Sequence, residues 1–256
     1  MNNTKILRAI GGINDELIER AGQRKEVKRT SFTPQLKWAA PLAACLIIAV
    51  MVALPLLNNG ADFDLSLSSG VSVRHINNPP IIHSAASLVY LTEEEMFAEY
   101  FHGYEIVIFG GTVKEVNNIV MDFNGHEMYR AIAKIEVSEA LRGAVQIGDI
   151  VSVLLPAPVS MEDFWVSDTS VSSQITPGTR GFFTPIRYDE TSIIRMNEAT
   201  LFLSEIAVFG LPDGERWAFI ETPDGLVFAR SAYESIADAT SLDDVRQYIN
   251  DMIEKN

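Results

Sequence analysis

The chain has 256 residues, 47% of them hydrophobic and 21% charged, with a formal net charge of −14. That composition belongs to a folding chain with room for one large domain or two small ones, and its acidity argues against nucleic acid as a partner. The single cysteine, Cys45, excludes an intrachain disulfide and a cysteine-based zinc site.

The charge is unevenly shared. Residues 1–37 carry eight Lys/Arg against four Asp/Glu, and residues 58–256 carry twelve against thirty. In the first segment Ile6, Ile10, Ile13 and Leu17 recur at spacings of four, three and four, with Leu7 and Ile18 alongside. This is an amphipathic helix pattern, weakened by Gly11 and Gly12. A segment this short cannot bury its apolar face alone, so the face needs a partner. Three readings stand open: docking into a groove of a cytosolic protein, lying on the inner membrane surface with the basic linker at 24–29 against anionic lipid, or little structure.

Residues 38–57 carry no charge. As a helix they span roughly 30 Å, the thickness of a bilayer's hydrocarbon core, and they lack the polar face of a soluble core helix. Trp38 stands at one edge as an interfacial aromatic, and basic residues precede the run while Asp62 and Asp64 follow it. The positive-inside rule keeps the amino terminus in the cytoplasm and sends the rest across. A cleaved signal has a shorter basic leader and a small-residue cleavage site, so the expectation is a permanent single-pass anchor in the lipid bilayer.

Residues 58–87 read largely as an extracytoplasmic spacer rich in Ser, Asn and Gly, with Pro79-Pro80 and room for an early strand. His75 and His83 lie in it without a supporting carboxylate cluster and are not taken as metal ligands. Residues 88–256 read as one extracytoplasmic domain. Its start, LTEEEMFAEYFHG, predicts a helix with a capping box of Thr92 and Glu95, a staple of Leu91 and Met96, and an end at Gly103.

From Tyr104 the apolar period shortens to that of strands. Turns are expected at Asn117-Asn118, Asn124-Gly125, Gly148-Asp149, Pro177-Gly178, Pro212-Asp213-Gly214 and Pro223-Asp224-Gly225. Ala131, Ala133, Ile135 and Val137 share one face of a strand against Arg130, Lys134 and Glu136 on the other, and Phe182-Phe183 form a core pair. Gly110-Gly111 reads as a strand or bulge feature rather than a phosphate loop. The chain closes on a helix from Ser241, whose stripe of Leu242, Val245, Ile249, Met252 and Ile253 packs on the sheet. The fold class is therefore α+β, mainly antiparallel β with capping helices.

The stretches VIFGGTVKEV, AIAKIEVSEALRGAVQIGDIVSVLLP and PGTRGFFTPI resemble the OB-like barrel module of exported bacterial proteins over residues 104–188. With the amino-terminal ILRAIGGINDELIERAG, the basic linker and WAAPLAACL, the whole chain resembles membrane-anchored, anti-sigma-factor-like regulators of low-GC Gram-positive bacteria. That resemblance implies a cytosolic partner, a sigma factor, held by residues 1–37. The chain departs from the better-known anti-sigma domains in lacking their His/Cys zinc motif.

No sequence motif for a metalloprotease, a serine nucleophile, a P-loop or a dinucleotide site is present. No catalytic residue, cofactor or metal is assigned, and the expectation is that the chain is not an enzyme. Asp62/Asp64 and Glu162/Asp163 read as solvated loop charge, and Trp165, Trp217 and Tyr233 as buried or edge aromatics ahead of a binding face. Phe164 and Trp165 interrupt an acidic, polar stretch and form a candidate contact loop. The expected function is regulatory: Ile6, Leu7, Ile10, Ile13, Leu17 and Ile18 bind the cytosolic partner, and the outer domain senses or binds a ligand or protein there. The alternative is a membrane-tethered binding or adaptor module without a cytosolic partner; an exported enzyme is the third class.

Overall fold

A computed structural model describes residues 63–77, 82–84, 88–159, 164–166 and 168–255. The chain separates into two units, residues 1–59 and 60–256, and every described residue lies in the second. The helix expected to carry Ile6, Leu7, Ile10, Ile13, Leu17 and Ile18, and the apolar run at 38–57, lie outside the described residues. Among the described residues no helix is long and apolar enough to cross a membrane.

The unit is mainly β with few helices. Its first strands are β1 (Val71–His75), β2 (Ile82–Ser84), β3 (Tyr100–Phe101) and β4 (Tyr104–Glu105), with the short helix α1 (Glu93–Met96) between β2 and β3. Two long strands follow, β5 (Ile108–Phe123) and β6 (His126–Arg142), then β7 (Ile150–Leu155) and β8 (Phe164–Val166). The last strands are β9 (Arg180–Phe183), β10 (Ile186–Arg187), β11 (Ile193–Met196), β12 (Ala199–Phe202), β13 (Phe209–Gly210), β14 (Ala218–Thr222) and β15 (Gly225–Val227), and helix α2 (Leu242–Lys255) ends the chain.

The hairpin of β5 and β6 is the axis of the fold. It turns at Asn124-Gly125, both at positive φ (51° and 91°), the conformation that an Asn-Gly hairpin supplies cheaply. Around it the main sheet runs β10-β13-β7-β6-β5-β9-β14-β15, and β1 pairs with the far half of β5. So β5 has two second neighbours: β9 beside Phe109–Thr112, and β1 beside residues 119–123. The sheet curls into a half-barrel. Its β10 edge returns to the entry of β5, where Ile106 bridges Ile186 and the Val107 N–H donates to the Pro185 carbonyl.

Both faces of the sheet are covered by apolar layers, and a register shift between Val113 and Glu115 decides which β5 residues face each. With a period of two, an extra residue moves every later side chain to the opposite face. Before the shift Val113 joins the main core with Ala131, Ala133, Ile135, Val153 and Phe183. After it Ile119, Met121 and Phe123 face a second core with Val73, Ile132 and Leu154, covered by Ala199 and Leu201 of β12. A further shift falls between Gly110 and Gly111, which agrees with their reading as a bulge. A Cβ on Gly111 would lie 2.7 Å from the Glu136 carbonyl oxygen.

Three local expectations need correction. Asn117 and Asn118 do not turn the chain; they lie inside β5, opposite Ile132 and Ala131. Asn118 accepts from the Val159 N–H at 2.8 Å and donates to its carbonyl at 2.9 Å, so its side chain pairs like backbone instead of turning. The first helix has the expected capping box, both bonds present, but stops after four residues. Arg142 explains part of this: it donates to the carbonyls of Phe97 and Ala98, both at 2.7 Å, and to that of Ile106 at 3.2 Å, fixing the backbone as it turns into β3. Gly103 then serves the β3–β4 turn at φ 89° instead of ending a helix. Finally, Phe164 and Trp165 are not in a loop: their backbone forms β8, parallel to β2 with Ile82 opposite Phe164 and His83 opposite Trp165.

Candidate functional site

An open cleft of about 1070 Å³ is formed by the segment before and through α1, the turns after β15, and α2. Tyr248 lines it and packs on a buried aromatic cluster. Trp217 and Tyr233 are fully buried, as expected of core aromatics. Phe97 meets Tyr248 edge-on at 5.4 Å between ring centroids, and Tyr233 lies 4.7 Å from Phe219. Burial pushes the Tyr233 hydroxyl far above its ordinary range, and it stays a donor to the Arg216 carbonyl.

The expected turn at Pro212-Asp213-Gly214 supplies the polar support. Asp213 Oδ1 accepts the N–H groups of Glu215 and Arg216 at 2.9 Å, while Oδ2 accepts Trp217 Nε1 at 2.7 Å and Arg216 Nε at 3.0 Å. The Asp213 and Arg216 side chains are only 9% and 10% exposed, so this is a buried, hydrogen-bonded ion pair. Arg216 uses its remaining reach to donate from Nη1 to the Val89 carbonyl at 2.7 Å. That bond ties the strap at 88–92 to the domain.

Glu93 is the second tie. It accepts the Tyr248 hydroxyl at 2.6 Å, the Ser235 N–H at 3.0 Å and the Ser235 hydroxyl. Burial acts to raise its pKa, but the bonds from Ser235 and Tyr248 together outweigh this and hold it below the ordinary carboxylate value. The same pairing, after burial, pushes the Tyr248 hydroxyl upward. Glu94 pairs with Lys255 at 2.6 Å, an exposed contact that adds little energy but closes the strap onto α2.

Seven carboxylates line the cleft against two cations, Arg216 and Lys255, both of which are already paired. Glu93, Glu94, Glu215 and Asp244 have partners as well: Glu215 accepts from Ser170, and Asp244 from the N–H groups of Thr240 and Ser241 at the start of α2. Asp168 Oδ2 is withdrawn from solvent without a hydrogen-bond partner among the described residues. The exposed side chains of Glu234 and Asp251 enter no hydrogen bond or ion pair among the described residues. Beside these charges Val89 and Tyr90 are 77% and 85% exposed, an apolar lip.

No family model, no curated protein and no solved structure matches this chain.

The side chains of Phe164 and Trp165, and all the residues assigned to cytosolic docking, are outside the described set. Among the described residues no group of three or more His, Cys, Asp or Glu is arranged to hold a metal ion, and no histidine lines the cleft. What the walls offer is fixed negative charge next to exposed apolar surface. Glu93 was legible as a helix start but not as a latch, because its partners Ser235 and Tyr248 are 142 and 155 residues away in sequence.

Proposed function

We propose that this chain is a single-pass membrane regulator of the anti-sigma-factor-like kind. Residues 1–37 dock a cytosolic partner, a sigma factor, residues 38–57 span the bilayer, and the β-rich unit binds or senses outside the membrane. The observation that carries this reading is the break in charge at the apolar run, from a net positive leader to a strongly acidic remainder. The unpartnered apolar face at Ile6, Ile10, Ile13 and Leu17 supports a docking role for the leader. In this reading the strands at 104–188 form an OB-like barrel, which the curl of the sheet and the Ile106–Ile186 bridge support. The role is one of binding, not of an enzyme, and it needs no cofactor.

The test is capture of the full-length chain from solubilised native membranes, beside a variant with Ile6, Ile10 and Leu17 each replaced by Asp. A sigma factor recovered with the unaltered chain and lost with the variant supports the reading. Equal recovery of every partner from both would overturn it.

The second reading, a membrane-tethered binding module whose outer unit is the active part, is favoured by the cleft and its uncommitted carboxylates. The two separate on the same variant: a regulator loses its cellular effect, whereas an adaptor needs only the span.

A further inference from the structure

We propose that the cleft between the 88–94 strap and α2 is a binding site for a basic peptide segment that also carries apolar side chains. The inference rests on taking this cleft as the binding face of the outer unit. It depends neither on membrane sidedness nor on a cytosolic partner, so the two readings fail separately.

Charge complementarity sets the first requirement. The uncommitted carboxylates come from three separate pieces of chain: Asp168 after β8, Glu234 in the turn after β15, and Asp251 on α2. Both cations of the cleft are neutralised by Asp213 and Glu94, so none is left to balance them. Glu234 and Asp251 are exposed and unpaired among the described residues, so a guanidinium or ammonium group brought to this wall finds open acceptors.

The lip sets the second requirement. Val89 and Tyr90 stand in solvent on a backbone pinned from behind by Arg216 and Glu93, so their side chains are presented on a fixed support. A preorganised apolar lip beside a charged wall suits a ligand with both kinds of side chain. A polyamine answers only the wall. A cleft of about 1070 Å³, open along one side, admits several residues of an extended chain.

The experiment uses the full-length chain in nanodiscs of phosphatidylcholine, a zwitterionic lipid, with empty nanodiscs as blank. Binding of a fluorescent twelve-residue peptide of alternating Lys and Leu is read by anisotropy at low and physiological salt. The comparison probes are the same peptide with Glu for Lys, the same with Ser for Leu, and spermine as competitor. The expected result is binding by the Lys/Leu peptide at least tenfold tighter than by either altered peptide. It weakens tenfold or more in the double variant Glu234→Lys/Asp251→Lys and at least threefold in Val89→Ser/Tyr90→Ser. Control reversals at exposed carboxylates outside the cleft, Glu190→Lys and Asp224→Lys, leave it unchanged. The proposal is overturned if the controls weaken binding as much as the cleft variants, since bulk negative charge then accounts for it. It is equally overturned if spermine competes at the same concentration as the peptide, or if the Lys/Leu peptide does not bind at low salt. All substituted side chains are exposed, so the variants keep the core, and an unchanged circular dichroism melt confirms it.

Discussion

The hydroxyl of Tyr248, on the helix that ends the chain, donates at 2.6 Å to the carboxylate of Glu93, on the first turn of the first described helix. One hydrogen bond thus joins the first and last described helices of the β-rich unit across its cleft.

Removing that bond tests how much the latch contributes. Tyr248→Phe is expected to lower stability by about 1 kcal/mol, the usual net worth of one hydrogen bond with a partly exposed partner. Glu93→Gln also gives the latch a pH signature. The folded pKa of Glu93 is lowered, so its contribution is fully present above its ordinary value near 4.5 and is lost as pH falls through the folded value. In urea titrations between pH 3 and 6, the unaltered chain is expected to lose stability on acidification more steeply than Glu93→Gln. Parallel slopes would remove Glu93 from the account.

Asp213 is expected to be the most sensitive polar position. Asp213→Ala leaves the Arg216 charge buried and Trp217 Nε1 without its acceptor, a loss of about 3–5 kcal/mol. Replacing Asp213 and Arg216 together by Leu and Met removes both charges and should cost clearly less than Asp213→Ala alone. Thermal melts of the single and double variants decide the point; a double variant as unstable as the single would mean that the carboxylate matters mainly for the turn.

Arg142 serves three carbonyls with one planar head, which lysine cannot copy. Arg142→Lys is expected to lower stability by about 1–2 kcal/mol, with faster hydrogen exchange confined at first to residues 97–106. Uniform loss of protection across the sheet would instead indicate a general weakening.

Gly181 lies where β9 runs between β5 and β14, and a Cβ there would meet the Phe219 carbonyl oxygen at 2.3 Å. Because the obstruction is backbone, no rotamer change relieves it. Gly181→Ala is expected to destabilise by about 2–4 kcal/mol, beyond ordinary overpacking. A denaturation midpoint within error of the unaltered chain would show that the strands separate cheaply.

The sequence spoke clearly wherever structure is set by neighbours. The Thr92/Glu95 capping box, the Asn124-Gly125 hairpin, the Gly148-Asp149 turn before β7 and the apolar stripe of α2 all rest on spacings of a few residues. It failed where a distant group decided the outcome. Asn117-Asn118 has turn chemistry, yet Val159, 41 residues from Asn118, engages its amide and keeps the strand running. The helix expected to reach Gly103 was cut short where Arg142, 45 residues beyond Phe97, holds the carbonyls. The cleft was illegible for the same reason. Its ties join residues more than a hundred positions apart, and acidic residues in helix starts and turns look alike whether they face a partner or water.

The change of face along β5 has a consequence for how the domain assembles. The β5–β6 pairing closes through a two-residue turn, whereas β5 reaches β9 only across some seventy residues of chain. Loop-closure entropy therefore favours the hairpin forming early, and long-range strands adding afterwards. Because β5 gives Val113 to one apolar layer and Ile119, Met121 and Phe123 to the other, a single early ribbon templates both. Damage at Asn124-Gly125 would then slow refolding of the whole unit, while damage in β14 or α2 would chiefly hasten unfolding.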